Sequence, residues 1–250
     1  MGVGYDCLMA KKNNDADFNV HLAEAMVGHP PLTVEAMRVV AQDFARRLNV
    51  TPLPDLFGVT DGKAVGTNIE HKFKMALAEQ YSYDLGNSAH GLDLPSINTD
   101  IKVTSIAQPQ SSAPFKTSKQ VFAGMGYNLI VFVYEKSDDS ERQVANLRFR
   151  HVVFIDEAHA SDYRHSGAVR SIAIDTKLDR SEKVQRIVDC IVGSGYPIED
   201  KELVPFAESL VDNPPEVGCI TVSPALQYRF GFKPAIKASE AHTSGVVALV

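Results

Sequence analysis

The stretch GLDLPSINTDIKVTS, residues 91–105, joins a proline-containing bend to a short run of alternating polar and β-branched residues. This alternation predicts a β-strand with Asp100 and Lys102 on one face and Ile101 and Val103 turned towards the core. Asp93 precedes the bend, which can return its carboxylate to the side of Asp100. We therefore expect two carboxylates and one ammonium group at one edge of a sheet.

The segments on either side of this stretch predict an α/β fold. Thr33 can cap an amphipathic helix over residues 32–50, and a second helix is expected over 68–85. β-Branched and apolar residues predict the strands. The predicted strands are 92–106, 127–136, 150–158 and 169–177, and 218–232 is expected to hold a strand followed by a short helix.

Composition favours one globular domain without a membrane span. The chain has 250 residues, of which 44% are hydrophobic and 22% charged, values that are ordinary for globular proteins. No apolar run reaches the roughly 18 residues that a transmembrane helix needs, and the N-terminus lacks the pattern of a signal peptide. Three scattered cysteines, Cys7, Cys190 and Cys219, do not have zinc-site spacing. We therefore expect a cytoplasmic protein.

Two carboxylates and a lysine on one strand suit metal-dependent hydrolysis. Paired carboxylates make a hard, oxygen-lined site for Mg²⁺, and a neighbouring ammonium group can orient an attacking water molecule. A divalent cation acidifies that water and stabilises charge in the transition state. The net charge of −6 argues mildly against a basic DNA-binding face, but carboxylates that bind cations account for part of it.

The arrangement D-(x6)-D-x-K, formed by Asp93, Asp100 and Lys102, resembles the active-site motif of the PD-(D/E)XK nuclease superfamily. Its spacing is similar to that of MutH-like nicking enzymes and type II restriction endonucleases, and the match covers about residues 66–136. The resemblance implies Mg²⁺ as cofactor, a metal site at Asp93, Asp100 and Ile101, and catalytic roles for both aspartates and Lys102. It also implies a further catalytic acid, Glu70, from the preceding helix.

The resemblance implies a restriction-endonuclease-like core, in which helices flank a central mixed sheet. We expect a single nuclease domain with an N-terminal helical part (1–65), a catalytic core (66–180) and a C-terminal helical part (181–250). The implied activity is sequence-specific cleavage of double-stranded DNA by a type II restriction endonuclease without a nucleotide cofactor. Cutting both strands of a symmetric site usually takes two active sites, so a homodimer is expected. The alternatives are a MutH-like nicking endonuclease and a catalytically silent DNA-binding module.

Polar residues in two segments are expected to contact DNA. Gln, Ser and Arg side chains hydrogen-bond base edges or phosphates, and lysines neutralise phosphates. The alternative is that both segments are ordinary polar surface. The predicted DNA-binding residues are Gln108, Gln110, Ser111, Ser112, Lys116, Lys119, Gln227 and Arg229.

Two other stretches compete for a functional role. VVFIDEAH (152–159) looks like the acidic strand end of a helicase ATPase, but GVTDGKA (58–64) lacks the spacing and the hydroxyl of a phosphate-binding loop. We therefore expect a core strand with solvated acids at its end. The second stretch, AIDTK, supplies Asp175 and Lys177, which with Asp162 form a second-ranked D-x-K site. A D-x-K triplet also occurs as a plain ion pair with no catalytic role.

Overall fold

The computed structural model describes residues 15–85, 91–112, 114–223 and 229–250. Helices are α1 (Asp15–Ala25), α2 (Val34–Leu48), α3 (Gly62–Ala78), α4 (Gln120–Ala123), α5 (Tyr163–Ala173), α6 (Arg180–Ser194), α7 (Asp200–Asp212) and α8 (Lys233–Glu240). Strands are β1 (Thr99–Ser105), β2 (Gln110–Ser112), β3 (Asn128–Asp139), β4 (Val144–Ile155), β5 (Thr221–Ser223), β6 (Arg229–Gly231) and β7 (Val246–Ala248).

The helices α2 and α3 begin where polar side chains cap them. Thr33 accepts a hydrogen bond from the backbone N–H of Ala36 at the start of α2, as predicted. The α3 helix begins at Gly62, earlier than expected, because the Asp61 carboxylate accepts from two backbone N–H groups of its first turn. The GVTDGKA stretch is therefore a capped helix start.

The main sheet has the strand order β1-β3-β4-β7. Only four residues connect β3 to β4, so this pair is antiparallel, and β7 pairs antiparallel with residues 153–155 of β4. The four residues Val152 to Ile155 are all buried. The prediction of a core strand at VVFI is confirmed, and burial on both faces explains its unbroken apolar run.

The described residues form two compact units, and the first contains residues up to Gln108, Val131–Val152 and Leu249–Val250. Four phenylalanines from α2, α3, β3 and β4 form its centre, with ring centroids 4.9 to 6.2 Å apart. These rings are Phe44, Phe73, Phe132 and Phe149. Within this unit α3 packs against β1, which brings the helix that carries Glu70 beside the strand that carries Asp100.

The second unit contains Pro109–Ile130 and Val153–Ala248. It holds α5, α6 and α7, the aromatic cluster of Phe122 with His165, Tyr196 and Phe206, and a three-stranded sheet of order β2-β6-β5.

Two of the secondary-structure predictions fall in the second unit and are wrong. Residues 169–173 belong to α5 instead of a strand, because Asp162 caps a helix that runs through them. In the 218–232 segment, Arg229 lies in the strand β6 instead of a helix. The rest of the predicted helix, residues 224–228, lies outside the described residues.

The predicted fold class, helices flanking a central mixed sheet, is confirmed. The division into one domain with three parts stays a prediction. None of the helices within the described ranges is long and apolar enough to cross a membrane.

Candidate active site

The bend before β1 places Asp93 against the strand that it precedes. Backbone hydrogen bonds in both directions join Leu94 and Thr99, at 3.0 and 3.1 Å. A single 3-10 turn fills the bend, and Asn98 closes it in the left-handed conformation with φ 49°. As a result, Oδ2 of Asp93 accepts a hydrogen bond of 2.9 Å from the backbone N–H of Ile101. The structure thus brings together the first acid of the motif and the strand of the second.

Asp100 and Lys102 lie two residues apart on β1 and form a close ion pair. Lys102 Nζ is 2.6 Å from Oδ2 of Asp100, and Asp100 is only 1% exposed. Oδ2 has no hydrogen-bond partner of acceptable angle among the described residues, so the lysine contact is an ion pair without good hydrogen-bond geometry. Burial here is deeper than the alternation alone indicates, and α3 packs against this strand.

Glu70 lies in the third turn of α3, and Lys74 follows one turn later on the same side. Lys74 Nζ donates hydrogen bonds to Oε1 of Glu70 at 2.6 Å and to Oδ1 of Asp93 at 2.8 Å. Lys74 therefore links the helix acid to the first acid of the motif. Lys74 was not among the predicted site residues, although its spacing of four residues from Glu70 is a usable signal for an ion pair.

The carboxyl groups have separated pKa values because they share a buried site. Burial raises the pKa of Asp100 to about 7, and the negative charge of Asp93 adds to this rise while Lys102 opposes it. Burial would also raise the pKa of Asp93, but Lys74, a hydrogen bond with Asp100, and Lys102 bring it down to about 2. The two carboxyl groups therefore influence each other, and Asp100 has the higher proton affinity of the pair.

Burial and neighbouring charges also shift the pKa values of Glu70 and Lys74. Burial, with the charge of Asp93, raises the pKa of Glu70, and Lys74 opposes the rise. Burial disfavours the charged form of Lys74, but Asp93 and Glu70 outweigh this and raise its pKa. The site therefore keeps a positive charge on Lys74 and concentrates negative charge on Asp93.

The residues present suit a small hard cation. No three His, Cys, Asp or Glu side chains of the described ranges converge tightly enough to hold a metal ion by themselves. Mg²⁺ needs fewer protein ligands, because it commonly binds through one or two carboxylates and completes its shell with water and substrate phosphate. Oδ2 of Asp100, whose described contact is the ion pair with Lys102, and the adjacent Asp93 carboxylate could supply this donor set.

A cavity of about 360 Å³ borders the carboxylates in the first unit. Glu70, Lys74 and Asp93 line one side of it, and Phe18 is stacked on His71 in the wall, with ring centroids 4.1 Å apart. The carboxylate cluster is thus accessible from the side of Lys74, while Asp100 lies buried.

The second-ranked D-x-K site does not assemble. Asp162 caps α5, accepting hydrogen bonds from the backbone N–H groups of Arg164, His165 and Val222. Asp175 lies beyond the other end of the same 11-residue helix, which at 1.5 Å per residue is about 16 Å long and separates the two acids. Asp162 is therefore a structural cap.

The acids of VVFIDEAH are also held in local structure. Oδ1 of Asp156 accepts from the backbone N–H of His159 at 3.0 Å and contacts its Nδ1 at 2.7 Å. The Glu157 side chain is exposed. This is a turn at the end of a buried strand.

Of the residues predicted to bind DNA, those that the structure describes lie in the strands β2 and β6 and in the segments next to β2. Gln110, Ser111 and Ser112 form β2, where Ser112 is directly opposite Arg229 of β6. Gln108 and Lys116 are exposed, while Lys119 forms an ion pair of 3.0 Å with Glu202. Gln227 lies outside the described residues.

An α/β fold with a D-x-K strand, an acid returned by a bend and a helix acid defines the class of PD-(D/E)XK-type nucleases. The family model "Type II restriction enzyme NspV" matches residues 31–248, and the chain belongs to this family. A curated relative, the type II restriction enzyme NspV of Nostoc sp. (strain ATCC 29411 / PCC 7524), is 39% identical over 201 residues, covering 80% of this chain and 89% of the relative. No solved structure matches the chain. The prediction of a type II restriction enzyme is confirmed.

Proposed function

We propose that this chain hydrolyses phosphodiester bonds of double-stranded DNA at a specific sequence and requires Mg²⁺. The observation that carries this proposal is the hydrogen bond from Ile101 N–H to Asp93, which holds the first acid beside the D-x-K strand. Membership of a type II restriction enzyme family supports it.

The proposed roles follow from the contacts around β1. Asp93 and Asp100 hold the cation, and Ile101, between Asp100 and Lys102, offers its main-chain carbonyl oxygen. Lys102, 2.6 Å from Asp100, orients the attacking water by donating a hydrogen bond. Glu70 adds a carboxylate from α3 that keeps the site attractive to cations. Mg²⁺, when bound, supplies Lewis acidity for the attacking water and for the phosphate charge.

We further propose that one face of the β2-β6-β5 sheet contacts DNA. Residues opposite one another in a sheet share a face, and two rows of polar residues result from the register. The rows are Ser112, Arg229 and Ser223, and Gln110, Gly231 and Thr221. The opposite face carries the buried Phe230 and Val222, so the polar face is the one available to base edges and phosphates.

The remaining predicted contacts extend this surface along the chain. Gln108 precedes β2, Lys116 and Lys119 follow it, and Gln227 precedes β6. Ser111 belongs to the face of Phe230 by register, and we retain it as a contact to phosphate only.

We also propose that the chain acts as one nuclease domain, in a homodimer, in the cytoplasm. A symmetric recognition site requires two copies of the catalytic strand to cut both strands. Cys190 and Cys219 are free thiols, which fits a reducing compartment.

Digestion of phage and supercoiled plasmid DNA with and without Mg²⁺ tests the proposal. We expect discrete fragments with Mg²⁺, intact DNA with EDTA, and intact DNA with the Asp100→Ala variant. Nicked circles alone would instead indicate a nicking endonuclease. A retarded but uncut band under all conditions would indicate a DNA-binding module without catalysis.

A further inference from the structure

Lys74 occupies the space between the helix acid and the first acid of the motif. Its Nζ is 2.6 Å from Glu70 and 2.8 Å from Asp93, and the side chain is only 16% exposed. The backbone carbonyl of Lys74 accepts a hydrogen bond of 2.7 Å from the Tyr83 hydroxyl. The ammonium group is thus held in place through its own two contacts and through its turn of α3.

This contact differs from the common surface pair. Glu and Lys four residues apart often pair on exposed helices and contribute little. Here the same ammonium group also reaches Asp93, 19 residues further along the chain, at a largely buried position. The Lys74 ammonium group thus lies between two partly buried carboxylates, a position that a metal cation could otherwise occupy.

The group formed by Glu70, Lys74, Asp93, Asp100 and Lys102 therefore has two sides, one at Lys74 and one at Lys102. Asp93 faces Lys74 through Oδ1 and the strand β1 through Oδ2, whereas Asp100 contacts Lys102. A divalent cation shared by Asp93 and Asp100 leaves Lys74 in its position. A second divalent cation between Glu70 and Asp93 would need the position that Lys74 Nζ already occupies. The positive charge of the ammonium group would also repel it.

We propose that Lys74 is a positioning residue that takes the place of a second metal ion, so that the site holds a single divalent cation between Asp93 and Asp100. This inference rests on the proposed metal-dependent function. It assigns Glu70 to the lysine instead of to the metal.

Counting bound Mn²⁺ by electron paramagnetic resonance tests this inference independently of cleavage. The probe is Mn²⁺ alone, added to the full chain. Ions that disappear in Asp93→Asn count as bound at the site, because Asp93 is the carboxylate common to both cation positions. The variant Lys74→Gln removes the ammonium group, and Lys74→Met is a second variant of similar length. Lys72→Gln is the matched control, because Lys72 lies on the same helix and pairs with Asp55 at 2.9 Å, outside the cluster.

We expect one Asp93-dependent ion in the wild type and in Lys72→Gln, and two in a folded Lys74 variant. The Mg²⁺ dependence of cleavage should change from hyperbolic to sigmoidal in the same variant. Two ions in the wild type, or one in a folded Lys74 variant, would overturn the inference and leave the nuclease function intact. Absence of any Asp93-dependent ion from a wild type that cleaves DNA would overturn the proposed metal site and the inference with it.

If neither Lys74 variant folds, the wild-type count decides. A count of one ion supports the inference, because Lys74 is then needed for folding to offset the repulsion between the carboxylates. A count of two ions contradicts it.

Discussion

Asp93 accepts a 2.9 Å hydrogen bond from the backbone N–H of Ile101, the residue between Asp100 and Lys102. The first acid is therefore oriented by the backbone of the strand that carries the other two motif residues. A backbone donor cannot be repositioned by side-chain rotation, so the bend and the strand behave as one unit. This arrangement explains how acids seven positions apart in sequence share one site.

Asp100→Asn and Lys102→Met should each lower the cleavage rate by about 100-fold or more, the usual size for a group that acts on the transition state. DNA binding measured by gel retardation should change little, since these side chains serve the hydrolytic step. Asp175→Asn is the control, and it should cleave like the wild type. A control as inactive as Asp100→Asn would transfer the catalytic role to the Asp175 segment.

The stability of the metal-free protein should depend on the protonation of Asp100. Burial, reinforced by Asp93 and opposed by Lys102, raises its pKa to about 7 from the model-compound value of 3.8. Between these two pH values the folded state keeps a proton that the unfolded chain has released, so the free energy of unfolding falls as the pH rises. The loss is at most about 1.4 kcal/mol per pH unit.

Urea unfolding of the wild type and Asp100→Asn in EDTA, at pH 5 and pH 7.5, measures this effect. Asparagine cannot ionise, so the variant should gain stability relative to the wild type as the pH rises. A difference between the two proteins that is the same at both pH values would show that Asp100 titrates normally.

Asp162→Ala should destabilise the protein without a specific effect on catalysis. Asp162 is 3% exposed and accepts hydrogen bonds from Val222 as well as from its own helix. Its loss leaves buried donors unsatisfied, at a cost of about 2–4 kcal/mol. Asp61→Ala is the matched control, because it removes an exposed helix cap and should cost about 1 kcal/mol. Urea unfolding measures the free energy of unfolding of both variants. The cleavage rate per folded molecule should remain at the wild-type level in each.

The double variant Asp156→Asn/Glu157→Gln should retain Mg²⁺-dependent cleavage within a few-fold of the wild type. Asp156 holds the turn at His159, and Asn preserves its acceptor for that backbone bond. The purified protein should not hydrolyse ATP with or without DNA, measured by release of inorganic phosphate. DNA-stimulated ATP turnover would restore the ATPase interpretation of this stretch.

Arg229→Ala should weaken DNA binding by about 1–3 kcal/mol if its guanidinium group contacts a base edge. Ser112→Ala, directly opposite in the sheet, should give a smaller change in the same direction. Arg180→Ala is the control, because this exposed arginine pairs with Asp212 on another part of the same unit. Fluorescence anisotropy at several salt concentrations separates loss of a phosphate contact from loss of base discrimination. Equal effects of Arg229→Ala and Arg180→Ala would remove the basis for a DNA-reading sheet face.

Local patterns predicted much of the fold. The helix after Thr33, the strand at VVFI and the strand of the D-x-K motif were all expected, because capping, apolar runs and alternation act over a few residues. The prediction of a strand at residues 169–177 was wrong for a related reason. Its apolar residues suit a strand as well as one side of a helix, and the choice depended on the cap at Asp162, which also bonds Val222 from 60 residues away.

The sequence by itself determined which residues share the D-x-K strand and that an acid could return to it, because a bend and a two-residue repeat are local geometry. Only the tertiary structure decided that α3 lies against β1, that Asp100 is almost fully buried, and that Lys74 joins Glu70 to Asp93. The physical reason is that contacts between distant segments depend on how helix and sheet pack. Burial and neighbouring charges then set the pKa values of the carboxyl groups in the site, and these cannot be read from the spacing of residues in the sequence.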